Sequence, residues 1–329
     1  MYWQIAIVLA TTPFCRAQGP GYPSAHITNG LISAELYLPD PINGSYRGTR
    51  FDWSGVVHSL TYRGHNYFGQ WYDKHDPMIH DAITGPVNIF DNAGPATGYK
   101  EAKVGETFVR IGVGRVEKPD EPGYRELFTY KVDDPGKWEI EQKPSSIRFT
   151  QTLPDIDQKT GYGYVYTKQL VLEPGKPEMR ISQELRNTGT KPIDTNVFNH
   201  GFFRIDDEPA GPGLVWTFPF EPVTTGNLAG MAAIRGRDIV YLREILPGER
   251  VLAVLTGYAE STDAHRFTLE NRRTGAGVNV AGDRPMSKLA FWSRRGAYSP
   301  EASIHLKIMP GETAKWSTAF EFFVTPKPK

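Results

Sequence analysis

Hydrophobic and polar residues alternate with a period of two through most of the chain. Between residues 105 and 186 the alternating segments follow one another closely: 108–113, 127–132, 138–142, 146–153, 162–172 and 179–185. Each is bounded by Pro, Gly, Asp or Asn, which end extended segments and favour turns. The pattern resumes at 214, 251–258, 266–271, 277–281 and 289–293. Period-two alternation places every second side chain on one face of a sheet, so the chain reads as many short, half-buried strands. Asn29-Gly30 marks an opening hairpin. Asn187-Thr188-Gly189 marks another, whose second strand ends at His200, and Pro310-Gly311 marks a closing one over 304–323. No helical periodicity of comparable length competes, and the prediction is an all-β, mostly antiparallel β-sandwich.

Composition agrees. Aromatic residues make up 12% of the 329 positions, beside 33 Gly and 26 Pro, which suits short strands separated by turns. Thirty-seven basic and 37 acidic residues are interspersed along the chain. That excludes the clustered basic surface of a nucleic-acid binder. Cys15 is the lone cysteine, so no internal disulfide can form. Residues 1–17 hold a short apolar run, with Cys15 and Ala17 suiting a cut ahead of Gln18. We read this as a signal peptide and expect a periplasmic or secreted protein; a hydrophobic first strand is the alternative. No lipid anchor and no membrane span are predicted, and residues 18–329 read as a single domain.

Candidate chemistry centres on His200, which follows Asn199 at a strand end and precedes Phe202 and Phe203. A histidine there can move protons near neutral pH beside an apolar wall. Arg47, Arg50, Asp52 and Trp53 form a loop cluster that reads either as ligand contacts or as a salt-bridged surface loop. His75, His80 and their neighbouring aspartates are too loosely spaced for a metal site. No Gly-rich phosphate cradle and no Gly-x-Ser-x-Gly elbow is present.

The stretch Asn196-Val197-Phe198-Asn199-His200-Gly201-Phe202-Phe203 resembles the Asn-x-x-Asn-His-x-Tyr-Phe segment of the aldose 1-epimerases, or galactose mutarotases. The Thr188 to Pro192 turn before it matches that family's Thr-x-x-Lys-Pro. Tyr166 to Gly175 resembles the family's lead-in strand, and Ile308 to Glu312 its closing Pro-Gly-Glu turn. The resemblance is firm over 168–203. It implies the galactose mutarotase-like supersandwich and an isomerase that interconverts sugar anomers without a cofactor or metal. It also implies a monosaccharide or glycan ligand, with His200 as acid and a late glutamate as base. Glu301 is the candidate base, although by spacing Trp292 or Ser293 could occupy that position. Asn199, Phe202, Arg50, Trp292 and His80 are candidate sugar contacts. The family's sugar-binding arginine is replaced by Pro86, and its His-Gly-Gly element has no counterpart; His75 or His80 could fill that role. Asp206 and Asp207 also depart from the family pattern. Two other classes stay open: a non-catalytic carbohydrate-binding module of this fold, and a polysaccharide lyase or hydrolase.

Overall fold

The computed structural model describes residues 21–91, 94–155 and 160–326, so the expected signal peptide at 1–17 lies outside the described residues. Strands dominate, arranged in four antiparallel sheets. The largest has ten strands, and its middle runs Arg266–Asn271, Ala276–Gly282, Thr313–Val324, Glu178–Asn187, Tyr164–Leu172, Ser146–Leu153. Against it lies a five-stranded sheet in the order Arg250–Leu255, Lys288–Arg294, Tyr298–Ile308, Ile193–His200, Val87–Phe90. A four-stranded sheet is built from residues 24–66 and a three-stranded one from 107–134; Val56 of the first packs in one cluster with Phe108 and Val116 of the second.

The alternation explains the layering. In Tyr164–Leu172 every odd step of the strand is buried: Tyr164, Tyr166, Lys168, Leu170 and Leu172 face inward. In Tyr298–Ile308, Ala302, Ile304, Leu306 and Ile308 turn inward while His305 and Lys307 are exposed. Apolar side chains from the large sheet (Phe149, Ile181, Phe320), the five-stranded sheet (Phe291) and the four-stranded sheet (Ile27, Leu60) merge into one core. Their removal from water is the main force holding the layers together.

The opening hairpin forms as read: Ser24–Thr28 pairs with Ile32–Tyr37, and Asn29 Oδ1 accepts the Leu31 and Ile32 N–H groups. The other hairpin readings need correction. Glu178–Asn187 pairs within the ten-stranded sheet, whereas Ile193–His200 belongs to the five-stranded one. The turn between them is an arch from layer to layer. Its backbone N–H groups at Thr188, Gly189, Thr190 and Lys191 are satisfied by the carbonyls of Gly163 and Gly161 rather than by a partner strand. Asn187 Nδ2 donates to the Lys191 and Ile308 carbonyls and fixes the arch to the facing sheet. Residues 304–323 likewise form an arch, because Tyr298–Ile308 and Thr313–Val324 lie in different sheets. The strand expected at 127–132 is displaced to Val132–Asp134.

One buried ion pair ties the N-terminal loop to the large sheet. Lys168 Nζ lies 3.2 Å from Asp52 Oδ2 and donates to the Ser54 carbonyl at 2.9 Å. Tyr166 Oη, Ser54 N and Ser54 Oγ also donate to Asp52. Burial pushes the Lys168 ammonium below the usual lysine range, opposed by the Asp52 charge. Asp52 and Trp53, read as possible ligand contacts, are therefore structural; Trp53 Nε1 donates to the Gly48 carbonyl at 2.7 Å.

Candidate functional site

Two central strands of the five-stranded sheet carry the candidate pair. In their antiparallel register Phe198 stands opposite Ser303. His200, two residues on, and Glu301, two residues back, therefore meet on the sheet's outer face. Their separation is 3.2 Å between Nε2 and Oε1. His200 is 2% exposed and Glu301 16%, so the carboxylate is the member that reaches solvent. His200 Nδ1 finds no hydrogen-bond partner among the described residues.

Aromatic rings enclose the imidazole. Phe202 stacks on it with centroids 3.7 Å apart and planes within 6°, and Trp292 meets it edge-on at 4.9 Å. Trp71 stacks in turn on Phe202 at 5.3 Å and meets Trp292 at 5.6 Å. Phe202 adopts φ 43°, in the left-handed region that a bulky residue normally avoids. Such strain persists only where the surroundings impose it, and here it turns the ring flat onto His200. The backbone is tight as well. A Cβ on Gly85 would stand 2.2 Å from the Gly201 carbonyl oxygen and 2.8 Å from that of His200, so only glycine allows these two segments to touch.

A charged cluster from the loops lies beside the pair. Arg50 Nη1 donates to Asp81 Oδ1, and His80 Nε2 stands 3.3 Å from Asp81 Oδ2. Burial pushes the Asp81 carboxyl up, but the His80 hydrogen bond and the charges of Arg50, His80 and His200 outweigh it and hold it at about 2. The carboxylate is thus ionised at any physiological pH. Arg50 also lies 3.5 Å from Glu126 and over the Phe51 ring at 4.9 Å.

Of the residues singled out from sequence, His200, Glu301, Phe202 and Trp292 converge, with Arg50 and His80 at their margin. Asn199 does not join them. Strand alternation turns it to the opposite face, where it lines a cavity of about 30 Å³ with Asn88, Ile304 and Trp316. Ser293 is buried on the inner face and hydrogen-bonds Tyr241 at 2.9 Å, so it is not the base. His75 is held by Tyr22 and Ser45, and Asp206 accepts from His65 and Asn66; both are structural. Sequence reading gave Trp71 no role and weighed Asp81 only as a metal ligand. Their signal was weak, since both sit in a loop with no periodicity.

Together these groups offer an imidazole–carboxylate pair, an ionised carboxylate held by Arg50 and His80, and flat apolar walls. No family model matches the chain, and no curated protein matches it in sequence. Solved structures do match. An aldose epimerase homologue from C. elegans is 13% identical with a TM-score of 0.56, the match covering 92% of this chain and 100% of that one. A galactose 1-epimerase from Lactobacillus acidophilus NCFM is 11% identical with a TM-score of 0.54, covering 94% and 97%. A galactose mutarotase-like protein from Clostridium acetobutylicum is 10% identical with a TM-score of 0.56, covering 91% and 95%. At these identities the likeness is one of architecture, and the chain has the galactose mutarotase-like β-sandwich fold.

Proposed function

We propose that the protein binds a sugar at the His200–Glu301 pair and interconverts its anomers. The observation that carries this reading is the 3.2 Å contact between an imidazole and a carboxylate contributed by separate strands and walled by aromatics. Ring opening requires a base to take the anomeric hydroxyl proton and an acid to protonate the ring oxygen. Glu301, the more exposed partner, takes the hydroxyl proton; protonated His200 donates from Nε2 to the ring oxygen. The C1–O5 bond breaks, the C1–O1 bond becomes a carbonyl, the aldehyde rotates, and the same two groups reverse the transfers on closure. The Phe202 and Trp292 rings exclude water around the imidazole, and Asp81 with Arg50 and His80 offers hydroxyl contacts where the family's arginine and second histidine are missing.

A second reading, a sugar-binding module without catalysis, is favoured by one observation. The acid and base touch each other directly, and His200 is covered by Phe202 and Trp292. A pyranose reaches both groups only if Glu301 swings away from the imidazole. Export of the protein is part of our proposal and rests on residues 1–17. The deciding assay is anomer interconversion by polarimetry or NMR on aldoses and uronic acids. His200→Ala and Glu301→Gln should each lower kcat on the order of 10²–10⁴-fold while leaving sugar binding measurable. Wild-type protein that binds sugars yet accelerates no interconversion would establish the module instead.

A further inference from the structure

The outer face of the five-stranded sheet continues past the acid–base pair in regular rungs. Val254, Ala290 and Glu301 are direct cross-strand partners; on the next rung stand Leu252, Trp292 and Ser299. The rung beyond holds Arg250 opposite Arg294. Even-numbered residues of Arg250–Leu255 and Lys288–Arg294 share this face, since their odd-numbered neighbours are buried in the core. The accessible part of the strip therefore leads from Glu301 past the buried Trp292, over the half-exposed Val254 and Leu252, to two arginines.

That arginine rung has no internal explanation. Like charges directly opposite one another destabilise a sheet. Neither side chain has an ion-pair partner among the described residues, and Arg294 Nε is shielded from solvent without a hydrogen-bond acceptor. The carboxylates close by in sequence are committed elsewhere: Glu249 to Arg243 at 2.6 Å and Glu244 to Arg295 at 2.9 Å. A guanidinium held this way is satisfied when a carboxylate arrives to accept from its fork of donors.

We propose that Arg250 and Arg294 form the subsite for a sugar-borne carboxylate, making a uronic acid the ligand of this face. This deepens the reading of the His200–Glu301 pair as a sugar site. Two rungs, about 13 Å along the strands, separate the arginines from Glu301. Side chains of arginine length span part of that distance and leave a gap on the scale of a hexose. The exposed Leu252 and Val254 supply the apolar floor for the C–H face of its ring, with the buried Trp292 beneath the strip, and the paired cations fix its direction.

The test is calorimetric or NMR titration of the intact protein with D-glucuronate and D-galacturonate against D-glucose and D-galactose. Wild type should bind the uronates at least about tenfold more tightly, with an advantage that shrinks as salt is raised. Arg294→Met and Arg250→Met, checked for folding by thermal melt, should each lower uronate affinity about tenfold more than neutral-sugar affinity. Arg294→Lys should restore part of the preference. Equal wild-type affinity for charged and neutral sugars, equal weakening of both in the variants, or no sugar binding at all overturns the subsite. Arginine-dependent uronate binding without any anomer interconversion upholds the subsite and removes the catalytic reading alone.

Discussion

Replacing Asp81 by Asn gives a sharp test of the cluster beside His200. The substitution keeps shape but removes the charge that Arg50 and His80 share. The Asp81 carboxyl is held at about 2 against an ordinary 3.8, a drop of roughly two pH units at about 1.4 kcal/mol each. With the side chain 24% exposed, some of this is screened by solvent, leaving about 2 kcal/mol. The sign follows from proton counting. Between about pH 2 and 4 the unfolded chain binds more protons at this position than the folded one, so stability rises with pH across that window. The contribution is complete above about pH 4 and is lost as the pH falls towards 2. Urea unfolding at pH 7 should therefore show Asp81→Asn less stable than wild type by about 2 kcal/mol. Near pH 3 the difference should shrink to about half. A penalty of the same size at both pH values would mean that the loss is one of packing and that the charge cluster stabilises nothing.

Other outcomes follow from the same structure. Lys168→Met should cost about 3–5 kcal/mol in urea unfolding, because it strands the Asp52 carboxylate in the core. Burial raises the Asp91 carboxyl to about 6, so the folded state binds the extra proton and wild-type stability falls as the pH climbs from about 4 through 6. Asp91→Asn should flatten that fall, which amounts to about 3 kcal/mol, in unfolding measured between pH 3 and 8. Gly85→Ala should disturb the His200 turn, with loss of sugar binding and a lowered melting temperature; a variant indistinguishable from wild type in both would show that the two backbones can separate freely.

Strands were legible wherever one face is buried and the other wet. Ser146–Leu153 and Arg266–Asn271 coincide with the segments read from alternation, since a slip of one residue would expose every apolar side chain. The arches were not legible. Asn187-Thr188-Gly189 has hairpin chemistry, yet the partners of its N–H groups are at Gly161 and Gly163, and local sequence carries no sign of that distant choice. The same holds at the site. His200 and Glu301 stood out by motif and spacing, and their meeting depends on the register of two strands about a hundred residues apart. Trp71 and Asp81 arrive from an irregular loop, where no period betrays the direction of a side chain. Within the loop cluster at 47–53, Asp52 gave no sign of its place, because its carboxylate pairs inside the core with Lys168, more than a hundred residues on.

The position of Thr313–Val324 in the ten-stranded sheet has a consequence for how the molecule comes into being. This strand lies between Ala276–Gly282 and Glu178–Asn187, joining two groups of strands that otherwise share no hydrogen bond. Until residues 313–324 leave the ribosome, both flanking strands present open edges, the kind of surface on which chains aggregate. Synthesis is slow compared with the closure of local hairpins, so the nascent chain waits as two half-sheets and zips together late. A chaperone that shields those edges would raise the yield of folded protein. Chains cut ahead of Thr313 should accumulate as insoluble material, although every residue of the His200–Glu301 site is still present in them.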